Sequence, residues 1–450
     1  MPPVTAEAQD APRSSGCMSI VSKIWEGQTL QEKAAVDPNA SWFTRHRRLI
    51  AFVAPATIAN IIWWSYAASN PSTFDLFNDT TGAKDTPNWY MCVTMVFGSM
   101  IAGATSEGGA AVAFPVMTIA FGILPSVARD FSFMIQSAGM TSAAATIALM
   151  RVQVEMHSLL WSTLGGICGI VLGLEQVAPR LSPPYSKMYF VCTWAAFAFS
   201  LFWLNRYYGR RVFEAIPRWE EGVLWKREIC VRGGTTTTDV KSGDSKRKDL
   251  ALAITLNWKA CVVFTCGFIG GIFSAISGSG IDICTFSVLT LLFRVSEKIA
   301  TPTSVVLMAI NTLVGFIYRQ LAMGGVETEA VRFFTVCVPI VVIGAPLGSL
   351  LGSHFHRLVL ASFVYVTDGV QFIGALAVVQ PWSTLKTDTP RHLCLTSFAI
   401  IIGGGAVFSG LAKGGHYLLR KLEEQEKVEL AASGQHGESK VNYWTIEGTV

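Results

Sequence analysis

The chain has 450 residues, 51% hydrophobic and 15% charged, with mean hydropathy +0.42 and formal net charge +4. A soluble domain carries about 25% charged residues, so this composition excludes a soluble globular protein and implies an integral, multi-pass membrane protein. The small charge, spread over many loops, excludes a nucleic-acid partner; the partner it implies is the lipid bilayer.

Residues 1–48 are polar, rich in Ala, Pro and Ser, and lack the apolar core of a cleavable signal. The cluster Arg45-His46-Arg47-Arg48 abuts the first apolar run, Leu49 to Ala68, and such clusters stay on the cytoplasmic side. The first membrane half is expected over 49–206, with the N-terminal tail cytoplasmic. The polar loop from Asn70 to Asn88 then faces outward and carries the sequon Asn78-Asp79-Thr80, which makes Asn78 a glycosylation candidate.

Residues 89–124 hold Ser106-Glu107-Gly108-Gly109, a small polar patch inside an apolar run. Glycine costs about 1 kcal/mol in a helix interior relative to alanine, so the patch predicts a broken or re-entrant element. Three spans follow at 131–150, 156–175 and 187–206, and a hydrophilic central loop at 207–257 is expected to be a cytoplasmic connector. The pattern then returns. Ser277-Gly278-Ser279-Gly280 lies 171 residues after the first patch, inside a second broken element at 258–294. Spans are expected at 299–318, 331–352 and 358–379, with a last one at 393–416 and a cytoplasmic tail over 417–450.

The fold class is therefore an all-α polytopic membrane protein with about eight spanning helices of roughly 20 residues and two broken or re-entrant elements. Each repeat has one element that returns to its own side and three crossings. That odd number inverts the second repeat, and in inverted repeats the substrate site lies near the midplane. The second membrane half closes at residue 416.

Free N–H groups at a helix break favour an anion. Gly108, Gly109, Gly278 and Gly280 would supply backbone donors, and Ser106, Ser277 and Ser279 hydroxyls. The expected partner is a small anionic substrate. A carboxylate inside the membrane is by default functional, so Glu107 and Asp282 are coupling candidates for a proton or cation; each could also cap its own helix. Thr303 and Ser304 stand in register with Phe131-Ser132, one residue out of step. Gln136, Ser137, Thr301 and Asn311 read as polar contacts between helices, and Arg129-Asp130 as a local pair. Cys92, Cys168, Cys192, Cys261, Cys266, Cys284 and Cys337 read as small core hydrophobes. His354 and His356 read as an interfacial pair, too sparse for a metal. No Walker A, H-E-x-x-H or G-x-S-x-G sequence is present, so neither ATP hydrolysis nor another enzymatic activity is expected, and no cofactor or metal.

The doubled patch, each copy followed by an apolar segment and an Ala-x-x-Thr-Ser-like helix start (Ala300-Thr301-Pro302-Thr303-Ser304), resembles the TauE/SafE sulfite exporter family over about residues 89–416. The resemblance implies a secondary transporter of sulfur-containing anions such as sulfite, sulfonates or related organic acids. It places the substrate site at Ser106 to Gly109 and Ser277 to Gly280, with Thr303 and Ser304 nearby. This chain departs from the family pattern in having Glu107 where glycine is common, Phe286 opposite Pro115, and Asp130-Phe131 in the first helix start. A channel-like or receptor protein, or a transporter of a cationic or zwitterionic substrate, stands as the alternative.

Overall fold

The computed structural model describes residues 42, 46–70, 74, 76, 87–105, 107–205, 211–221, 223, 225–231, 250–352, 357–380, 382 and 388–432. Asn78, Ser106, His354 and His356 lie outside them, as do most of the N-terminal tail and the chain beyond 432.

Helix α1 (Arg47–Ser69) precedes the first broken element, α2 (Trp89–Ala104) and α3 (Ala110–Pro115), the latter running into a π-helical turn at Val116–Ala120. Then come α4 (Pro125–Met150), α5 (Met156–Leu172, continuing irregularly to Arg180) and α6 (Pro183–Asn205). The second broken element is α7 (Trp258–Ser277) and α8 (Ile281–Ser287), with its own π-helical turn at Val288–Leu292. It is followed by α9 (Glu297–Ala322), α10 (Thr328–Gly352), α11 (Arg357–Val379) and α12 (Asp388–Ala432).

Eight described helices are long and apolar enough to cross a membrane: α1, α4, α5 with its extension, α7, α9, α10, α11 and α12. The expected count holds, but its membership differs. The first arm of the second broken element, α7, has the length to cross by itself, whereas the expected span at 187–206 falls in α6, which is not among the eight. Leu418 to Ala432, with its mixed Glu and Lys expected as a solvated helix, is helical, and α12 continues through it from the last span without a break. At about 1.5 Å per residue, its 45 residues outreach a hydrocarbon core of about 30 Å.

Helices α4 and α9 form the centre: 61% of the most apolar stretch of each is buried, against 11% in α1 and α12. Ile61, Ile62, Val366, Val370, Phe398 and Ile402 are exposed on the outer helices, as lipid-facing side chains should be. Cys192 and Cys337 are buried as expected, but Cys168 and Cys261 are exposed. A membrane tolerates a small apolar thiol at its surface as readily as in the core.

Lipid is as apolar as leucine, so helix association in a bilayer rests on close packing through small residues. Two crossings show this. Helix α2 packs on α10, and α5 on α7, so each joins one half of the sequence to the other. A Cβ on Gly103 would lie 1.9 Å from the Ala345 carbonyl oxygen, and one on Gly165 would lie 2.1 Å from that of Phe264.

The central segment is more than a connector. Strands β1 (Trp225–Val231) and β2 (Leu250–Leu256) pair antiparallel, with Trp225 opposite Leu256. Phe213 exchanges backbone hydrogen bonds with the turn after α8, donating to the Arg294 carbonyl and accepting from Ser296 N–H, both at 2.8 Å. The Trp219 indole donates to the Thr255 hydroxyl, and the Asn257 amide donates to the Trp219 carbonyl. Two ion pairs, Arg211–Glu426 at 3.0 Å and Arg218–Glu429 at 3.1 Å, fasten the segment to the far end of α12.

Gly165→Ala should destabilise the purified protein by about 1–3 kcal/mol, because its Cβ meets backbone. Gly369→Ala, whose Cβ meets nothing within 4 Å, should be neutral or stabilising by about 0.5–1 kcal/mol through helix propensity. Thermal unfolding in detergent measures both, and equal effects would remove the packing argument.

Candidate transport site

Helix α2 stops because Thr105 is extended (φ −117°, ψ 175°) and Gly108 turns left-handed at φ 75°. Helix α7 stops at Gly278, with φ 85°, and Gly280 at φ 153° swings the chain into α8. Both glycines at the bends are also spatially required. A Cβ on Gly278 would sit 2.3 Å from Ser132 Cβ, and one on Gly108 would meet Met308 Sδ at 2.5 Å and Gln136 Oε1 at 2.6 Å. Gly109 differs, with φ −69° and only ordinary contacts for an added Cβ.

The two breaks meet. The Ser279 hydroxyl lies 3.2 Å from the Glu107 carbonyl oxygen and 2.8 Å from Asp282 Oδ2. It has one proton, so it serves one of the two acceptors at a time. The Gln136 side-chain amide on α4 donates to the Gly278 carbonyl at 2.7 Å, tying the first half to the second break.

The second break is largely satisfied from within. Asp282 Oδ1 accepts the Gly280 N–H at 2.8 Å, Ser274 Oγ accepts the Ile281 N–H at 3.2 Å, and the Ser277 hydroxyl faces the Ser279 carbonyl at 2.9 Å. Asp282 is thus a capping group whose contacts are the backbone and serine of its own break. Glu107 is the opposite case. Its side chain is fully buried, and neither carboxylate oxygen has a hydrogen-bond partner. The charged groups facing it are Asp368 on α11 and Asp282, both acids. Asp368 is 1% exposed, and its two carboxylate oxygens have no partner either. Two ionised carboxylates have nothing to donate to each other; one proton between them makes a hydrogen bond.

Thr303 and Ser304 are buried on α9, each donating back to its own helix, to the Ile299 and Ala300 carbonyls. Thr303 also accepts the Glu155 N–H at 2.9 Å. Among the described residues, no hydrogen bond joins either residue to the breaks. Their register partner Ser132 does reach one, packing on Gly278. Gln136 and Asn311, expected as helix contacts, do contact helices, but Gln136 Oε1 and Asn311 Oδ1 are left without partners. Asp130 is a three-way junction rather than a local pair. It takes Arg129 at 2.8 Å, Arg319 at 2.8 Å and the Glu327 N–H at 3.1 Å, which clamps α9 and the start of α10 to α4.

Asp368 is the site residue that the sequence reading passed over. The signal was available, since an acid in the middle of an apolar span is as conspicuous there as Glu107 is at its break.

The sulfite exporter TauE/SafE family profile matches residues 90–367, well over half of the chain. The chain belongs to this family of membrane transporters. The match covers both breaks and ends one residue before Asp368. Comparison with curated proteins and with solved structures returns no match.

Asp282→Ala should lower the melting temperature by several degrees, because it strands the buried Gly280 N–H at about 1–3 kcal/mol and leaves the Ser279 hydroxyl only the Glu107 carbonyl at 3.2 Å. Glu107→Gln, which removes no existing hydrogen bond, should leave it unchanged or raise it. If the glutamate variant proved as unstable as the aspartate one, the division of labour between the two acids would be wrong.

Proposed function

We propose that the protein is a secondary transporter of small anions, such as sulfite, sulfonates or related organic acids, in which protons carried by Glu107 and Asp368 accompany the substrate. One observation carries the coupling. Where the two breaks meet, the unpartnered side-chain atoms of Glu107, Asp368 and Gln136 are all acceptors, and among the described residues no lysine or arginine faces the acids. A proton is the smallest donor that completes such a group, and protonation removes the charge that would repel an anion.

Family membership supports the anion class. Alternating access between inverted halves is supported by the pairing of elements. Each half has a break, a five-residue π-helical turn and a 26-residue helix in the same order. Each half's broken element also packs on the other half's second long helix. Ser279 and the glycines at both breaks would meet the substrate; Asp282 would hold the second break in shape. Asn78 as a glycosylation site and cytoplasmic termini belong to the same proposal. A second reading, transport of a cationic or zwitterionic substrate, is favoured by the acids Glu107, Asp368 and Asp282, because a cation could take the place of the proton.

Proteoliposomes test this with labelled sulfite and a small sulfonate, with and without a pH gradient. Uptake should saturate and respond to the gradient. Glu107→Gln and Asp368→Asn should each remove the pH response, and Ser279→Ala should lower uptake at least about tenfold, the equivalent of about 1.4 kcal/mol. Uptake with its pH response intact in both acid variants would end the coupling role. Absence of flux for both anions in folded protein would end the substrate class, and saturable uptake of a cation would install the second reading. Non-saturating ion currents would point to a channel.

A further inference from the structure

The two π-helical turns end in the same backbone motif. After Val116–Ala120, Phe121 N–H bonds to Val116 O at 3.0 Å and Ile123 N–H to Met117 O at 2.9 Å, around Gly122 at φ 71°. After Val288–Leu292, Phe293 N–H bonds to Val288 O at 3.1 Å and Val295 N–H to Leu289 O at 2.9 Å, around Arg294 at φ 57°. A left-handed turn here needs no side chain, and glycine is the residue that adopts it freely. A non-glycine residue in this conformation costs about 1–2 kcal/mol. Arginine therefore occupies the second position in spite of the backbone.

Its side chain is also costly where it lies. Arg294 is 2% exposed, and its Nε and Nη2 have no hydrogen-bond partner. Burial pulls the guanidinium's pKa below the usual arginine value, and among the described residues no acid compensates it. It borders a cavity of about 80 Å³, walled by the end of the second broken element, by Pro217 and Glu221 of the central segment, by Trp258 and Lys259, and by α12 from Gly415 to Gln425. The Lys259 ammonium donates to the Pro217 and Arg218 carbonyls at 2.7 and 2.6 Å, and Lys421 lines the α12 side. Glu221, the one carboxylate at the rim among the described residues, is half-exposed and bonded to Arg218 at 3.1 Å. A strained backbone, an orphaned buried guanidinium and a cavity with further cations coincide at one place.

We infer that this cavity is a second anion site, in which Arg294 binds a phosphate group through its free N–H donors, beneath the distal part of α12. The planar guanidinium fork suits a tetrahedral oxyanion, taking two oxygens at once. The phosphate could belong to a lipid headgroup, since the cavity lies where α12 emerges from the apolar body, or to a soluble phosphate. Either would bridge the second break to α12 and the central segment. The site does not depend on the transport reading.

Thermal unfolding of the full-length protein tests it in two arms: inorganic phosphate in neutral detergent against chloride at equal ionic strength, and phosphatidylcholine nanodiscs with or without phosphatidic acid. At least one arm should raise the wild-type melting temperature by several degrees, as a ligand of the folded state must. Response to phosphatidic acid alone identifies a headgroup, and response to inorganic phosphate alone a soluble anion. Arg294→Gly reproduces the glycine of the first turn, so it keeps the fold and should melt as high as wild type or higher without ligand while losing the response. Arg294→Lys, a point charge without the fork, should retain only part of it. If wild type responds in neither arm, or Arg294→Gly responds as wild type does, the inference is overturned and the guanidinium is satisfied by buried water.

Discussion

Unwound backbone inside a membrane must find its hydrogen bonds within the protein, because lipid offers none. This requirement brings the two broken elements together. The second break satisfies itself with Ser274, Ser277, Ser279 and Asp282, and receives one further bond from Gln136 of the other half. Among the described residues of the first break, the Glu107 N–H reaches the Thr105 hydroxyl at 3.3 Å. The Ser279 hydroxyl, shared between Asp282 and the Glu107 carbonyl, is a point at which both breaks depend on one proton.

Around that contact the helices are held by glycine faces rather than by hydrophobic drive, which is absent between helices in lipid. Gly103 and Gly348 bring α2 against α10, and Gly165 and Gly267 bring α5 against α7; in each case an added Cβ would strike a backbone carbonyl of the neighbouring helix. Such crossings allow little sliding, because a shift along the axis trades each glycine for a larger side chain. Movement between the halves therefore has to be sought as rotation of packed pairs about the breaks, where left-handed glycines leave the backbone joints narrow.

Much of this was legible in the sequence, and the reasons for the failures are physical. The breaks were readable because glycine and serine clusters inside apolar runs carry a local backbone signal. The eight-helix count followed from hydropathy, but the assignment of α6 over α7 did not, since the division of an apolar run between a full crossing and a short arm depends on where the bend falls. Thr303 and Ser304 were placed by register and by the family resemblance. Register fixes a position along the helix but not the hydrogen bond made there, and theirs return to Ile299 and Ala300. The docking of the central segment through Phe213, Trp219 and Arg211 involves residues far apart in the chain and left no periodic trace.

The differences between the two copies are more informative than their likeness. The turns after the two breaks share one backbone, so the residue that turn needs for folding can be read from the plainer copy. Gly122 shows that the turn after the break needs only glycine; Arg294, in the same conformation, is therefore there for its side chain. The breaks themselves do not match in this way: Glu107 lies 171 residues before Gly278, yet Gly278 is left-handed and Glu107 is not. In the first copy the acid is buried, faces two other acids and has no donor. An ionised Glu107 would face acids with no donor among the described residues, and on that arrangement the proposed proton rests.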